Sequence, residues 1–137
     1  MSNVATLPIE FNRKFSLHLY WASHELLLLR SNQTNEHPTR IDILFGDVRW
    51  LTIPAWLDGI RIERGQLSDI PLPLTAKIKE EAHFMSVFKI ISQGITHYIL
   101  AGDGVCVAED EISFGVNSSL LENLDFRAFA APLWDKR

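Results

Sequence analysis

Hydrophobic and polar residues alternate at strand spacing along the stretch from Thr39 to Arg64. Alternation with a period of two predicts strands that bury one face. Turn-forming residues separate three such runs: Gly46 and Asp47 follow the first, and a segment from Pro54 to Gly59 follows the second. The stretch therefore predicts a three-stranded meander at the centre of an antiparallel sheet. The runs are Ile41 to Phe45, Val48 to Ile53 and Ile60 to Ile62.

The first of these runs also predicts which side chains face water. Ile41, Ile43 and Phe45 share one face of the strand, whereas Arg40 and Asp42 alternate with them. We therefore predict that Arg40 and Asp42 lie on the solvated side of the sheet.

Two further strands are predicted before this stretch. Every second residue from Phe15 to Trp21 is apolar, which indicates a half-buried strand. The run from His24 to Arg30 contains four consecutive leucines and is apolar on both faces. A helical turn is the alternative, but the run is too short for an ordinary helix, and we interpret it as a buried strand. The turn formers from Ser31 to Pro38 predict a polar loop.

A short amphipathic helix is predicted after the central stretch. Leu74, Ile78 and Ala82 are spaced four residues apart, and the residues between them are mostly charged. Thr75 precedes this pattern and can cap the first turn.

The segment from residue 83 to residue 116 predicts a second meander. Its β-forming runs are separated by the turn formers Gln93-Gly94 and Gly102-Asp103-Gly104, which are typical of tight hairpins. The predicted strands are Val87 to Ile91, Ile95 to Leu100, Val105 to Ala108 and Ile112 to Val116.

Together these elements predict a single β-dominated α+β domain over residues 1–137. It contains an antiparallel meander sheet, as a curled sheet or a small open barrel, with one or two short helices. Residues 1–12 have little periodicity and predict a loosely attached N-terminal arm, with a short strand near Ile9 and Phe11. Residues 126–137 form an aromatic C-terminal tail that we expect to pack on the sheet or on a second subunit.

Composition and charge narrow the classes of partner. The chain has 13 basic and 17 acidic residues and a net charge of −4, whereas nucleic-acid binding usually needs basic residues concentrated on one face. The longest apolar run, Leu26 to Leu29, is far shorter than the roughly 20 residues of a membrane span. The N-terminal sequence does not resemble a signal peptide, and the single cysteine permits no internal disulfide. We therefore expect a soluble cytoplasmic protein that binds neither nucleic acid nor membrane.

Histidines are the first candidates for chemistry. His18 and His24 are six residues apart, which on one strand is roughly 20 Å and too far to share an ion. His97 is expected opposite Lys89 or Ile90, not opposite His83, across the Gln93-Gly94 turn. We predict no metal site, no cofactor and no catalytic residues. The alternative is a small enzyme, or a domain that binds a metal or ligand in a sheet-lined pocket, and its residues would be His18, His24, Glu25 and His97.

Other reactive residues point to ordinary structural roles. Cys106 lies between Val105 and Val107, which predicts a buried and inert thiol. Asp103 and the acidic segment from Glu109 to Glu111 are expected at opposite ends of one strand, about 15 to 20 Å apart. The sequence contains no GxGxxG, GxxxxGK[ST], GxSxG, HExxH, CxxC or HxE motif.

Aromatic residues are the remaining functional candidates. Trp and Tyr are enriched at protein interfaces because they combine a large contact area with a polar group, although they also fill cores. The sequence therefore favours a non-enzymatic protein-binding module that self-associates or caps a partner, such as an acidic immunity protein that caps a basic toxin. The candidate interface residues are Trp50, Trp56, Phe126, Phe129 and Trp134.

Overall fold

The computed structural model describes residues 4–111 and 119–122 of the chain. In these residues one eight-stranded antiparallel sheet accompanies a little helix, which confirms the predicted β-dominated α+β class. The strands are β1 (Ile9–Trp21), β2 (Leu26–Ser31), β3 (Arg40–Phe45), β4 (Trp50–Leu51), β5 (Trp56–Gly65), β6 (Ser86–Ser92), β7 (Ile95–Ala101) and β8 (Val105–Asp110). The helices are α1 (Ala76–Glu81) and α2 (Ser119–Glu122).

The strand order across the sheet is β4-β7-β6-β5-β1-β2-β3-β8. The long strand β1 lies at its centre, between β5 and β2. The sheet curls without closing, and its curl brings the end of β3 near the end of β7. There the amide of Gly102 donates to the carbonyl of Gly46 at 2.9 Å, and the amide of Arg49 donates to the carbonyl of Leu100 at 2.8 Å.

The main core lies on the inner face of this curl. It joins strands from both halves of the sheet, so that Phe45 of β3 contacts Phe88 of β6 edge to face, with ring centroids 5.6 Å apart. Each large side chain buried here contributes roughly 1.5 to 3 kcal/mol relative to its exposed state. The largest of the core side chains are Phe15, Leu27, Leu29, Ile43, Phe45, Ile62, Phe88 and Ile90.

A second cluster covers the outer face of β2, β3 and β8. Leu26 and Leu28 pack there with Leu44, Cys106 and Leu120 of α2. Strand β2 is therefore buried on both faces, which confirms the buried strand predicted from the run of leucines. The predicted burial of the Cys106 thiol is confirmed as well.

The predicted central meander is wrong, although all three of its runs contain strands. Strand β3 pairs with β2 and β8, β4 pairs with β7, and β5 pairs with β1 and β6. The physical reason is burial. A strand that is buried on both faces, such as β3, gains more from neighbours inside the sheet and cover on both sides than from pairing with the strand that follows it in sequence.

The second predicted meander is half right. Strands β6 and β7 form the expected hairpin, and Gln93 and Gly94 both have positive φ, as a tight two-residue turn requires. Strand β8, however, pairs with β3, so that Gly102-Asp103-Gly104 is not a hairpin turn. The predicted strand from Ile112 to Val116 lies outside the described residues.

Residues assigned to the loose N-terminal arm make regular pairs. Strand β1 begins at Ile9, which lies opposite Ile62 of β5, and Phe11 lies opposite Ile60. Upstream, the amide of Ala5 donates to the carbonyl of Val105 at 2.7 Å. The short strand expected near Ile9 and Phe11 is thus the first part of β1, and the part of the arm from residue 4 onward is attached to the sheet.

A bulge corrects the predicted faces of β1. The pairing of β1 with β2 shifts register between Leu17 and Leu19. Leu17 packs against the main core and Leu19 against the second cluster, so these two residues do not share a face. The extra residue at the bulge is His18, whose surroundings are described below.

Helix α1 forms as predicted. The side-chain oxygen of Thr75 accepts a hydrogen bond from the amide of Ile78 at 3.2 Å. Leu74, Ile78 and Ala82 pack on a third apolar cluster, built on Ile70, Val87 and Leu100. None of the helices in the described ranges is long and apolar enough to cross a bilayer.

Candidate functional site

Five residues form one row across the outer face of the sheet. In strand register, Trp56 of β5 lies opposite Ser16 of β1, which lies opposite Arg30 of β2. Arg30 in turn lies opposite Asp42 of β3, and Asp42 lies opposite Ala108 of β8. Side chains in such a row stand next to one another across neighbouring strands.

A buried ion pair forms the centre of this row. Arg30 donates to both carboxylate oxygens of Asp42, at 2.8 and 3.2 Å, and the two side chains are only 3% and 0% exposed. Nε of Arg40, also buried, lies 3.7 Å from the Asp42 carboxylate, and Nη2 lies 4.0 Å from Asp110. The predicted solvated position of Arg40 and Asp42 is therefore wrong, because pairing among these four charges permits their burial.

His18 also contacts the Arg30 guanidinium. Arg30 Nη1 lies 3.0 Å from His18 Nε2. A guanidinium can only donate, so Nε2 accepts and the imidazole is neutral, with its proton on Nδ1. Desolvation lowers the pKa of His18, and the charge of Arg30 lowers it further, against an opposing effect of Asp42.

Beside this row lies a groove of about 610 Å³, which we call the Trp56 groove. Strands β1, β2 and β5 contribute to it, and the loop after β2 contributes the rest. The Trp56 side chain is the largest of the described lining side chains, and it is 64% exposed. The lining residues are Asn12, Arg13, Lys14, Arg30, Ser31, Asn32, Thr34, Asn35, Glu36, His37, Trp56 and Asp58.

Arg13 positions the loop that lines the groove. Its Nε donates to the Ser31 hydroxyl at 2.7 Å, and Nη2 donates to the carbonyls of Asn32, at 3.2 Å, and Thr39. These bonds tie both ends of the loop to β1. Burial lowers the pKa of the Arg13 guanidinium, and the charge of Glu109 partly offsets this effect. Arginine pKa values are so high that Arg13 stays charged.

Three charged side chains of the groove have no bonding partner among the described residues. Lys14, Glu36 and Asp58 line the groove, and none of them forms a side-chain hydrogen bond or ion pair with residues 4–111 or 119–122. Lys14 lies opposite Asp58 in the strand register, without an ion pair between them. Within the described part of the chain, these three groups differ from Arg13 and Arg30, whose guanidinium groups are bonded.

Trp50 and Trp56, the two candidate interface residues that the structure describes, do not form one patch. Trp56 lines the groove, whereas Trp50 is half-buried against the third apolar cluster on β4, and strands β7 and β6 lie between the two. Phe126, Phe129 and Trp134 lie outside the described residues. Lys14 and Asp58 were not predicted as site residues, because their only signal was a polar residue at an outward position of a strand. Arg13 was not predicted either.

Residues of the alternative metal or catalytic site are dispersed. His18 contacts Arg30, and the His24 ring stacks on Trp21 with centroids 3.7 Å apart. Glu25 lies 3.4 Å from Arg49. His97 lies opposite Ile90, as predicted from the hairpin. Across the described ranges, no three His, Cys, Asp or Glu side chains converge to hold a metal ion.

Comparison with known proteins adds no family to this description. No protein-family model, curated protein or solved structure matches the chain significantly. A function for the chain therefore has to be argued from the chemistry of the Trp56 groove.

Proposed function

We propose that this chain is a non-enzymatic protein-binding module that contacts its partner through the Trp56 groove. The observation that carries the proposal is the 64% exposure of Trp56 beside a groove of about 610 Å³. Tryptophan is highly buried on average in folded chains. It is also among the residues that contribute most to binding energy at protein interfaces.

Rigid supports on both sides of the groove favour binding. Trp56 is the first residue of β5, and it lies opposite Ser16 in the central strand. On the other side, Arg13 ties the loop after β2 to β1. A surface that is already ordered loses less conformational entropy when a partner docks.

Charge supports a basic partner. The net charge of −4 attracts basic proteins and increases the rate of encounter with them. This property is compatible with an inhibitor of the immunity-protein type that caps a basic protein. The other partner that the sequence predicts is a second copy of the chain. The residues of the enzyme alternative, His18, His24, Glu25 and His97, contact different neighbours, and we therefore favour the binding module.

Site-specific photo-crosslinking tests this proposal. A benzophenone amino acid replaces Trp56 in one variant and Trp21 in a matched control, because Trp21 is also exposed, at 42%, but lies outside the groove. After irradiation in the native cell, we expect a discrete protein adduct at position 56 and none at position 21. An adduct of twice the chain mass identifies self-association through the same surface. Equal adducts at both positions, or none at position 56, would contradict the proposal.

A further inference from the structure

The chemistry of the Trp56 groove identifies what its partner presents. Resting on the function proposed above, we infer that the groove receives an arginine side chain of the partner protein. Its guanidinium stacks on the Trp56 indole and forms an ion pair with the Asp58 carboxylate.

Trp56 and Asp58 have the spacing that this contact needs. They are two residues apart on β5, and both line the groove, so their α-carbons are roughly 7 Å apart at the strand rise. A cation is attracted to a tryptophan face when it lies within about 6 Å of the ring centroid. One guanidinium can therefore reach the ring with its face and the carboxylate with its edge.

Two carboxylates in the lining can bind a cationic occupant. Apart from Trp56, every described lining residue is polar or charged. The carboxylates of Asp58 and Glu36 have no partner among the described residues. Of the three cationic lining residues, Arg30 is compensated by Asp42, whereas Arg13 and Lys14 oppose a bound cation.

Arginine fits this site better than lysine does. Its planar guanidinium stacks on aromatic rings and bonds carboxylates with two parallel donors, and it is more weakly hydrated than an ammonium. Lys14 opposes the bound cation, because it lies opposite Asp58 in the strand register. The inference therefore makes a second prediction, in the opposite direction: removal of the Lys14 charge should strengthen binding.

A titration of the full chain with small peptides tests the inference. The probe is acetyl-Gly-Arg-Gly-amide, and the control is the same peptide with citrulline, a neutral group of similar shape. Binding is followed by NMR through the indole N–H of Trp56, which is assigned with the Trp56→Phe variant. We expect the arginine peptide to shift this signal and to bind at least about tenfold more tightly than the citrulline peptide.

Variants on either side of the contact give opposite expected effects. Asp58→Asn should lower the affinity for the arginine peptide about tenfold, which corresponds to about 1.4 kcal/mol. Asp58→Glu should retain most of the wild-type affinity. Lys14→Gln should tighten binding by a few-fold.

Several results would overturn the inference. These are equal affinity for the two peptides, no effect of Asp58→Asn, weaker binding by Lys14→Gln, or a response only at the other indoles. The proposed function is decided separately by the crosslink at position 56. A protein adduct at position 56 together with equal affinities for the two peptides would support the proposed protein-binding function and contradict the inference that the groove receives an arginine.

Discussion

Arg30 and His18 share a hydrogen bond of 3.0 Å on the outer face of the sheet. The other edge of the same guanidinium bonds Asp42. Because Arg30 can only donate, the contact exists only while the imidazole is neutral. A protonated His18 would lose its hydrogen bond and place a second positive charge beside Arg30.

This contact predicts that acid destabilises the protein through His18. The pKa of His18 is lowered from its ordinary value of 6.5 by desolvation and by Arg30. The unfolded chain therefore binds a proton at His18 at a higher pH than the folded chain does. The contribution of His18 to stability is complete above pH 6.5, and it decreases as the pH falls from 6.5 through the lowered pKa. Urea unfolding between pH 5 and pH 7.5 measures this loss.

The matched control for this prediction is His18→Gln. Glutamine can accept from Arg30 and does not titrate. Below pH 6.5 the unfolding free energy of the variant should fall less steeply with decreasing pH than that of the wild type. The difference between the two slopes should correspond to at most about one bound proton. Identical pH profiles for the wild type and His18→Gln would show that His18 does not cause the effect.

Asp42 should be among the most sensitive positions of the fold. Its carboxylate is fully buried between Arg30 and Arg40. Asp42→Asn removes the negative charge that both guanidinium groups face. We expect a loss of about 3 to 5 kcal/mol in the free energy of unfolding, as for other broken buried pairs. Chemical denaturation measures the loss.

A surface ion pair is the control for Asp42→Asn. Glu63 lies 2.9 Å from Arg61 on β5, and both side chains are partly solvated. Exposed pairs contribute little to stability, so Glu63→Gln should cost far less. If the two substitutions destabilise the protein equally, the buried pair has no special role.

Arg40 and Asp42 also show where sequence reasoning failed. Their alternation with Ile41 and Ile43 predicted a strand correctly, and the period of two placed them on the correct, opposite face. We predicted that this face is exposed to solvent because charged residues are usually solvated. Nothing in the local sequence indicates that Arg30, twelve residues away, pairs with Asp42, since this contact depends on the register of β2 with β3.

Arg13→Gln should loosen the loop that lines the groove. The substitution removes donors to the Ser31 hydroxyl and to the carbonyls of Asn32 and Thr39. We expect faster hydrogen exchange in residues 32–39 and a loss of about 1 to 3 kcal/mol, because the buried Ser31 hydroxyl loses its donor. Lys14→Gln, which removes no described hydrogen bond, is the control. Unchanged exchange in the Arg13 variant would contradict the positioning role.

The β6–β7 hairpin gives a prediction about backbone conformation. Gly94 has a φ of +75°, and an added Cβ atom would meet nothing within 4 Å. The cost of Gly94→Ala should therefore come from conformation alone, at about 1 kcal/mol. Gly94→Asn should cost less, because asparagine adopts positive φ more readily. Thermal unfolding compares the two variants, and equal losses would contradict this explanation.

Local signals predicted the elements better than their partners. The Thr75 cap and the Gln93-Gly94 turn depend on adjacent residues, and both were predicted correctly. The pairing of β3 with β8 joins residues 60 to 70 positions apart, and no local pattern encodes it. The Trp56 groove likewise depends on residues that are distant in sequence. Trp56 was a sequence candidate, but the neighbours that form its groove come from β1 and from the loop after β2.

The most direct test of the Trp56 groove is the affinity of Trp56→Ala for the partner that is crosslinked at position 56. Calorimetry should show a loss of at least about 2 kcal/mol, or roughly 30-fold in Kd, as for a tryptophan at the centre of an interface. The control Trp21→Ala should bind within about threefold of the wild type, since a solvated surface position contributes little. Both variants should remain folded. Equal affinity of Trp56→Ala and Trp21→Ala would contradict the claim that Trp56 anchors the interface.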